Sequence, residues 1–579
     1  MKIKSGILLL YLIIAFPIKT TGQTENKYTI VTGNIKTNWS NQIQLGESIT
    51  SIADAGTFRF KIILDKPKFF NLSYEYKNLE LFITPNHSLH ININGKDFYS
   101  SISIVEDEPK LNDFLLSQER LMIKTNKYLN DEKKTIFTSD TSDFLSRIDS
   151  IKQYYINNLN EFLIENTESI DDWFVKKNIA DIRYYFDRRK LWYPVRYCRY
   201  TGNDAQIEPN YFSNIAIGAF EDPDLLDSEI YLQFVNTYLN IQSAGKYKTT
   251  DYLMYPLKIA GNSRYQAIID LKAHQQITDY LLTQELKSIF GCGINNVGNL
   301  LTRYKEDCKN DSLKKEVVLL YEKQLERRKL PSEIKVYKKI DSVKLEAHVF
   351  YPEGFKKTDK RPLYIFFHGG GWNTGNPEWG YGICQKYASK GLVAISFEYR
   401  LLNLHGVKIP ECIDDAKSAV SWARKNAQKL GIDSEKIVAE GFSAGGHLAA
   451  CTAIIDDADR ETNNDKSISC KPNALILKSA SYSVKEFTGM NGGNGELISP
   501  LYQVKSDLVP TLMFHGTNDH IVPFKEFNSF VDKMKKLHND FTYHSFEGAG
   551  HFFIMNKKYN EIASRMTEEF LISHGIITK

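Results

Sequence analysis

From residue 27 to about 105, apolar side chains recur at every second position. After Gly56-Thr57, Phe58, Phe60, Ile62 and Leu64 alternate with Arg59, Lys61 and Ile63. Phe70, Leu72, Tyr74 and Tyr76 share one parity. Leu79, Leu81 and Ile83 follow Lys77-Asn78, and Leu89, Ile91 and Ile93 follow Pro85-Asn86. A period of two broken by turn residues predicts half-buried antiparallel strands. Several of them in so short a stretch predict a small sandwich or barrel. Near residue 108 the period changes. Phe144, Ile148, Ile151, Tyr155 and Phe162 fall on one helical face, with Ser142-Asp143 as the polar cap. Similar stripes at Trp173–Arg189, Leu281–Phe290 and Leu313–Leu330 predict an all-helical segment up to about 330. From Pro331 short apolar runs alternate with amphipathic stretches. The runs are Leu345–Tyr351, Leu363–Phe367, Leu392–Phe397, Lys436–Ala439, Ala474–Leu477 and Thr511–Phe514; the clearest helices are Glu411–Leu430 and Phe524–Leu537. This alternation predicts an α/β domain with a mainly parallel sheet and helices on both faces.

The start of the chain has a different pattern. Lys2 and Lys4 precede Ile7–Phe16, an uncharged apolar run, which Pro17 ends before Thr20-Thr21-Gly22. This is the layout of a secretory signal peptide, with cleavage expected after Gly22 and export to the periplasm or beyond. The run is shorter than the roughly 20 residues a bilayer span needs, and no later stretch reaches 18 uncharged apolar residues, so no transmembrane span is expected in the mature chain. The expected organisation is residues 1–22 as signal, 23–106 as a small β domain, 107–330 as a helical domain and 331–579 as the α/β domain.

Composition narrows the possible partners. The formal net charge is only +3 over 579 residues, which argues against a nucleic-acid partner. The seven cysteines form no CxxC or CxxxxC spacing, so no metal site and no cofactor are expected. The separation of Cys292 and Cys308 allows a disulfide, but the favoured reading of most cysteines is as small buried apolar residues. Asp227-Ser228-Glu229 and Glu326-Arg327-Arg328 read as solvated helix charges.

Candidate chemistry lies in the last segment. Gly441-Phe442-Ser443-Ala444-Gly445-Gly446 follows a predicted strand and precedes a predicted helix, Ala444–Ile455. This is a G-x-S-x-G pattern in the strand–turn–helix setting it needs to expose a nucleophilic hydroxyl. A serine needs a base, and the base needs an orienting carboxylate. Asp519 follows the strand ending in Phe514-His515-Gly516, and His551 follows Gly548-Ala549-Gly550 after the next extended run, in the chain order Ser, Asp, His. His515, His520 and His544 are rivals for the base but are less well placed. His368-Gly369-Gly370-Gly371-Trp372 directly follows the strand Leu363–Phe367, where backbone N–H groups of the glycine run can face an oxyanion. The candidate pocket residues are Trp372, Phe442 and Phe552, and Trp372 and Trp379 are expected to be exposed.

With these residues in view, the segment from about Ile334 to Gly575 resembles α/β-hydrolases of the esterase/lipase group that includes hormone-sensitive-lipase-like enzymes. Within that group it resembles bacterial acetyl-xylan-esterase-like carbohydrate esterases. The matching stretches are His368–Trp372, Glu398-Tyr399-Arg400-Leu401, Gly441–Ala449, Ser499-Pro500-Leu501, Pro510–Asp519 with Val522-Pro523, and Phe546–His551. The resemblance implies Ser443 as nucleophile, Asp519 as orienting acid and His551 as base, with the N–H groups of Gly370, Gly371 and Ala444 as oxyanion donors. It implies that Tyr399 and Arg400 are structural and that His368 braces the loop. Two departures are Glu398 where the family often has Asp, and Phe552 where it often has Gly. The implied activity is hydrolysis of short acyl esters, acetyl or similar, on carbohydrate; a general small-molecule carboxylesterase or lipase is the alternative. Residues 27–330 resemble the N-terminal module of exported thioredoxin-like proteins of Bacteroidota-type bacteria, through Gly56–Phe60 and Leu81–Leu89. No CxxC follows, so no dithiol chemistry comes with that resemblance. An envelope- or glycan-binding role for this half is the reading from another class.

Overall fold

The computed structural model describes residues 28–36, 42–74, 77–94, 98–106, 110–131, 135–166, 170–244, 261–455, 467–487, 490–493 and 495–578. The expected export signal, 1–22, lies outside the described residues. Two compact units are distinguished, Met1–Lys127 with Glu165–Phe174, and Tyr128–Ile164 with Val175–Lys579. They cut the chain elsewhere than the changes of pattern at 107 and 331 do.

In the first unit the alternating segments form β1 (Tyr28–Ile35), β2 (Gln42–Leu45), β3 (Ser48–Ser51), β4 (Thr57–Ile63), β5 (Lys68–Tyr74), β6 (Lys77–Ile83), β7 (Ser88–Ile93) and β8 (Ser103–Val105). Among the described residues they make two four-stranded sheets, ordered β4-β1-β7-β8 and β3-β2-β5-β6. Val31, Phe58, Phe60 and Ile91 from one sheet share a core with Leu45, Leu72, Tyr74 and Leu81 from the other, which makes a sandwich. The expectation of purely antiparallel pairing fails at one place. β1 and β7 run parallel, Val31 beside Leu89 and Gly33 beside Ile91. The chain passes through the second sheet between these strands and so can return in the same direction. A Cβ on Gly33 would lie 2.2 Å from the Ile91 carbonyl oxygen and 2.4 Å from the Phe58 ring, so this crossing requires glycine.

The period of two also hides a second apolar face. Phe69 and Phe82 are cross-strand partners pointing away from the sandwich core, and Phe82 meets Phe174 at 5.2 Å. Asn112 completes the edge strand β6. Its side chain accepts from the Phe82 N–H at 2.7 Å and donates to the Phe82 carbonyl at 3.0 Å, which pairs backbone groups that an edge would leave open.

The second unit begins with helices. Thr141–Glu165 buries Phe144, Ile148, Tyr155 and Leu159, while Ile151 and Phe162 are half-buried. Its cap is Asp140 rather than Ser142-Asp143: the Asp140 carboxylate accepts the Asp143 N–H at 2.9 Å. The helices Glu229–Ala244, Gly261–Asp270, Gln275–Gly291, Leu300–Asp307 and Asp311–Arg327 follow. Then come β9 (Glu333–Ile340), β10 (Val343–Phe350), β11 (Arg361–Phe367), β12 (Val393–Phe397), β13 (Ile432–Phe442), β14 (Ala474–Lys478), β15 (Thr511–Gly516) and β16 (Phe541–Phe546). They form one eight-stranded sheet, ordered β16-β15-β14-β13-β11-β12-β10-β9. β10 is antiparallel to β9 and β12, and the strands from β12 to β16 pair in parallel. β12 and β14 are buried at every position, which is why they read as unbroken apolar runs instead of alternation. At the opposite extreme β9 (EIKVYKKI) buries only Tyr337, and its lysines blunt an exposed sheet edge. Helix side chains such as Ala416, Ala450 and Phe530 fill one side of the sheet, and Tyr387 and Phe570 fill the other. No disulfide joins any of the seven cysteines, so Cys292 and Cys308 are not bridged. Among the described residues no helix is long and apolar enough to cross a membrane.

Candidate active site

Ser443 sits in the turn between the end of β13 and the helix Ala444–Ile454, at φ 56° and ψ −120°. A non-glycine residue in such a conformation costs about 1–3 kcal/mol and persists only where its surroundings hold it. The flanking glycines explain how the turn closes. A Cβ on Gly441 would meet the Gly445 carbonyl oxygen at 2.0 Å, and one on Gly445 would meet that of Phe367 at 2.1 Å. The Ser443 N–H donates to the Lys478 carbonyl at 3.0 Å. Lys478 is itself held beneath the turn, its Nζ 2.9 Å from Glu440 Oε1 in a buried ion pair to which the Tyr364 hydroxyl also donates.

The two other residues of the expected set come from loops beyond β15 and β16. His551 Nε2 lies 2.9 Å from Ser443 Oγ, and His551 Nδ1 lies 2.7 Å from Asp519 Oδ2. The other oxygen of Asp519 accepts the N–H groups of Ile521 and Val522 at 2.9 Å each. Burial pushes the Asp519 carboxyl up. Hydrogen bonds from His515 and His551 and from the Val522 N–H outweigh it and hold the group well below the usual carboxylate range. An ionised Asp519 keeps the proton on Nδ1, leaving Nε2 as an acceptor toward the serine hydroxyl. His551 is only 2% exposed, and Ser479 Oγ donates to its carbonyl at 2.9 Å. The rival His515 instead buttresses Asp519, with Nε2 3.0 Å from the Val522 carbonyl and 3.2 Å from Asp519 Oδ2. His544 packs its ring on Phe546.

The glycine run lies beside the serine. A Cβ on Gly369 would fall 3.4 Å from Ser443 Cβ. Gly370, at φ 109°, accepts the N–H groups of Asn373 and Thr374 at 3.1 Å each, which curls the loop back on itself. Among the described residues the N–H groups of Gly370, Gly371 and Ala444 enter no backbone–backbone hydrogen bond. The Tyr399 hydroxyl donates to the His368 carbonyl at 2.8 Å, and the two rings stack at 4.3 Å. Burial pushes the His368 imidazole down to about 4, so it is neutral at pH 7. Arg400 grips Asp415 through two bonds of 2.7 and 2.8 Å.

Of the pocket candidates, Phe442 and Phe552 do border His551. Each ring is 5.1 Å from the imidazole, and Phe552 is 50% exposed. Trp372 does not fit the expectation of an exposed aromatic. It is 4% exposed, with its indole edge-on to His447 at 5.2 Å and near Phe487, because the loop turns it inward at φ 60°. Trp379 is exposed, at 53%.

Sequence reading missed a contribution from the helical segment. The Gly375 N–H and Asn376 Nδ2 donate to the Gly291 carbonyl at 3.1 and 3.3 Å. Cys292 Sγ is 3.8 Å from the Asn373 carbonyl and from Thr374 Oγ1. Asn295 Nδ2 reaches both oxygens of Glu398, at 3.1 and 3.4 Å. These residues carry no catalytic pattern, so only their positions reveal them.

Glu398 has a pH consequence. Burial, more than its other surroundings, pushes its carboxyl up to about 7; Glu346 adds to the rise, while hydrogen bonds from Asn295 and the Glu346 N–H and the Arg328 charge oppose it. The folded value lies above that of an unfolded glutamate, about 4.3. Its stabilising contribution is therefore full at acidic pH and is lost as pH rises through about 7. Glu398→Gln removes this dependence. Measured by urea unfolding, its stability relative to the parent rises by about 1–3 kcal/mol between pH 5 and pH 8. A difference that stays flat across that range counts against a protonated Glu398.

The BD-FAE family matches residues 348–493. The esterase LipC of Mycobacterium tuberculosis is 27% identical over 219 residues, 34% of this chain and 54% of that protein. An arylesterase of Saccharolobus solfataricus is 36% identical over 118 residues, 20% of this chain and 37% of that protein. The chain thus spans about half the length, or less, of these curated relatives. Among solved structures, esterase 2 of Thermogutta terrifontis, phosphoramylated by tabun, is 37% identical over 43% of this chain and 96% of that one, with a TM-score of 0.41.

Proposed function

This chain belongs to the esterase/lipase group of α/β-hydrolases, and on that footing we propose that it hydrolyses short-chain acyl esters through an acyl-enzyme on Ser443. The observation that carries the reading is the unbroken relay from Asp519 through His551 to Ser443. Ser443 Oγ attacks the ester carbonyl carbon while its proton passes to His551 Nε2. The carbonyl oxygen becomes an oxyanion facing the N–H groups of Gly370, Gly371 and Ala444. Such donors are typically worth roughly 10²–10³-fold in rate each. The C–O bond to the alcohol then breaks as His551 returns its proton to the departing oxygen. Water attacks the acyl-serine with His551 again as base, releasing the acid and restoring Ser443.

The preferred substrates are acetyl or similar esters on carbohydrate, encountered outside the cytoplasm. Support comes from the resemblance to carbohydrate esterases, from the signal-like start of the chain, and from the aromatic pair Phe442 and Phe552 beside His551. Small-molecule carboxylic esters are the second reading, favoured by the arylesterase among the relatives. An ester panel tests both. kcat/KM for p-nitrophenyl esters falls about tenfold or more from acetate to octanoate, and acetate is released from acetylated xylan. A preference for octanoate overturns the short-chain reading. Acetylated xylan left intact while p-nitrophenyl acetate is cleaved returns the assignment to small-molecule esters.

A further inference from the structure

A cavity of about 540 Å³ opens among the helices Glu229–Ala244, Gly261–Asp270 and Gln275–Gly291, and its lining extends to Leu404. Its lining mixes polar side chains with apolar ones. Of the apolar ones, Leu281 and Ile289 are buried. In the wall, Arg264 Nε donates to Glu285 Oε2 at 2.8 Å, and its two terminal nitrogens donate to the side-chain oxygens of Asn240 and Asn236. Two consequences follow. The guanidinium charge is already matched by Glu285, and Glu229 adds a second carboxylate, so the cavity does not suit an anion. With their oxygens held by Arg264, Asn236 and Asn240 have amide nitrogens to offer; among the described residues these have no protein partner, nor do the side chains of Gln284 and Ser288. Neutral donors and acceptors around an apolar strip suit a neutral ring carrying many hydroxyls. They do not suit an alkyl tail, which would leave the amides unpaired.

The cavity also adjoins the glycine loop. Cys292 lines it and touches Asn373 and Thr374 of that loop. Leu404 belongs to the turn whose Leu402 N–H donates to the Trp372 carbonyl at 2.9 Å. We propose that this cavity is a subsite for a sugar residue on the alcohol side of the ester, so that the helical segment supplies substrate recognition; this rests on the ester-hydrolase reading above.

The test is calorimetric titration of the full-length Ser443→Ala protein, which cannot turn over, with xylotetraose, cellotetraose and mannotetraose. At least one binds. Its affinity falls about tenfold or more when Gln284→Ala and Ser288→Ala are added, the loss of one or two hydrogen bonds to hydroxyls. Both side chains are exposed and, among the described residues, have no protein partner, and an unchanged melting temperature verifies that the fold is intact. Filling the cavity with Ser288→Trp abolishes the heat of binding. No binding by any of the three sugars overturns the proposal, as does binding that neither change weakens. Hydrolysis of p-nitrophenyl acetate by the unaltered chain tests the ester reading separately. Activity without sugar binding defeats the subsite alone, and sugar binding without activity defeats the ester reading alone.

Discussion

Replacing Ser443 with alanine lowers kcat for p-nitrophenyl acetate by about 10⁴-fold or more, to near the background of the bare oxyanion site. The magnitude follows from the arrangement of the site. His551 Nε2 has Ser443 Oγ as its hydrogen-bond partner at 2.9 Å, and removing that oxygen leaves a base with nothing to activate except water. The fold does not depend on the hydroxyl. The turn is held by the Ser443 N–H to Lys478 and by the close approach of Gly441 and Gly445, all of which survive in alanine. The check is burst and steady-state release of p-nitrophenol together with an unchanged melting temperature. Retention of more than a tenth of the parent rate transfers the nucleophile to another residue and ends the assignment.

Asp519→Asn produces a loss of similar order, about 10³–10⁴-fold in kcat, for a subtler reason. One carboxylate oxygen accepts two backbone N–H groups, those of Ile521 and Val522. The carbonyl of an asparagine has to take that place, because the amide nitrogen cannot accept. Its NH₂ group then faces His551 Nδ1 as a donor. The imidazole is forced to carry its proton on Nε2, where it donates to Ser443 instead of accepting from it. The geometry is preserved while the direction of proton transfer is reversed. A crystal structure of the variant with unchanged distances and a lost rate is the expected pair of results. A rate within tenfold of the parent means that His551 does not depend on Asp519 for its tautomer.

Much of the geometry of this candidate site was legible in the sequence because its residues are tied to local structure. Ser443 needs glycines around it, and Asp519 and His551 sit directly beyond strand ends, so spacing and turn chemistry point to them. What stayed hidden was set by tertiary contact. Trp372 follows a glycine run that suggests exposure, yet its positive φ turns the indole into the interior. His515 looked like a competing base and instead holds the carboxylate. Gly291, Cys292 and Asn295 have no chemical signature; the first two meet the glycine loop and the third meets Glu398, each across more than eighty residues of chain. In the sandwich, alternation located the strands but not their partners. The parallel pairing of β1 with β7 depends on the path of the intervening chain, and the outward pair Phe69 and Phe82 is covered by residues from far along the sequence.

The grip of Gly291 on Gly375 and Asn376 bears on how the protein is made. The site joins residues near 291, 369, 398, 443, 519 and 551, and such distant pairings form late because loop closure has to precede their reward. During synthesis the serine turn emerges more than a hundred residues before His551. A chain cut before residue 551 therefore leaves Ser443 Oγ without the Nε2 partner it has in the whole chain. On the proposed mechanism, hydrolysis waits for β16 to pair with β15 and for the loop after it to bring His551 to Ser443.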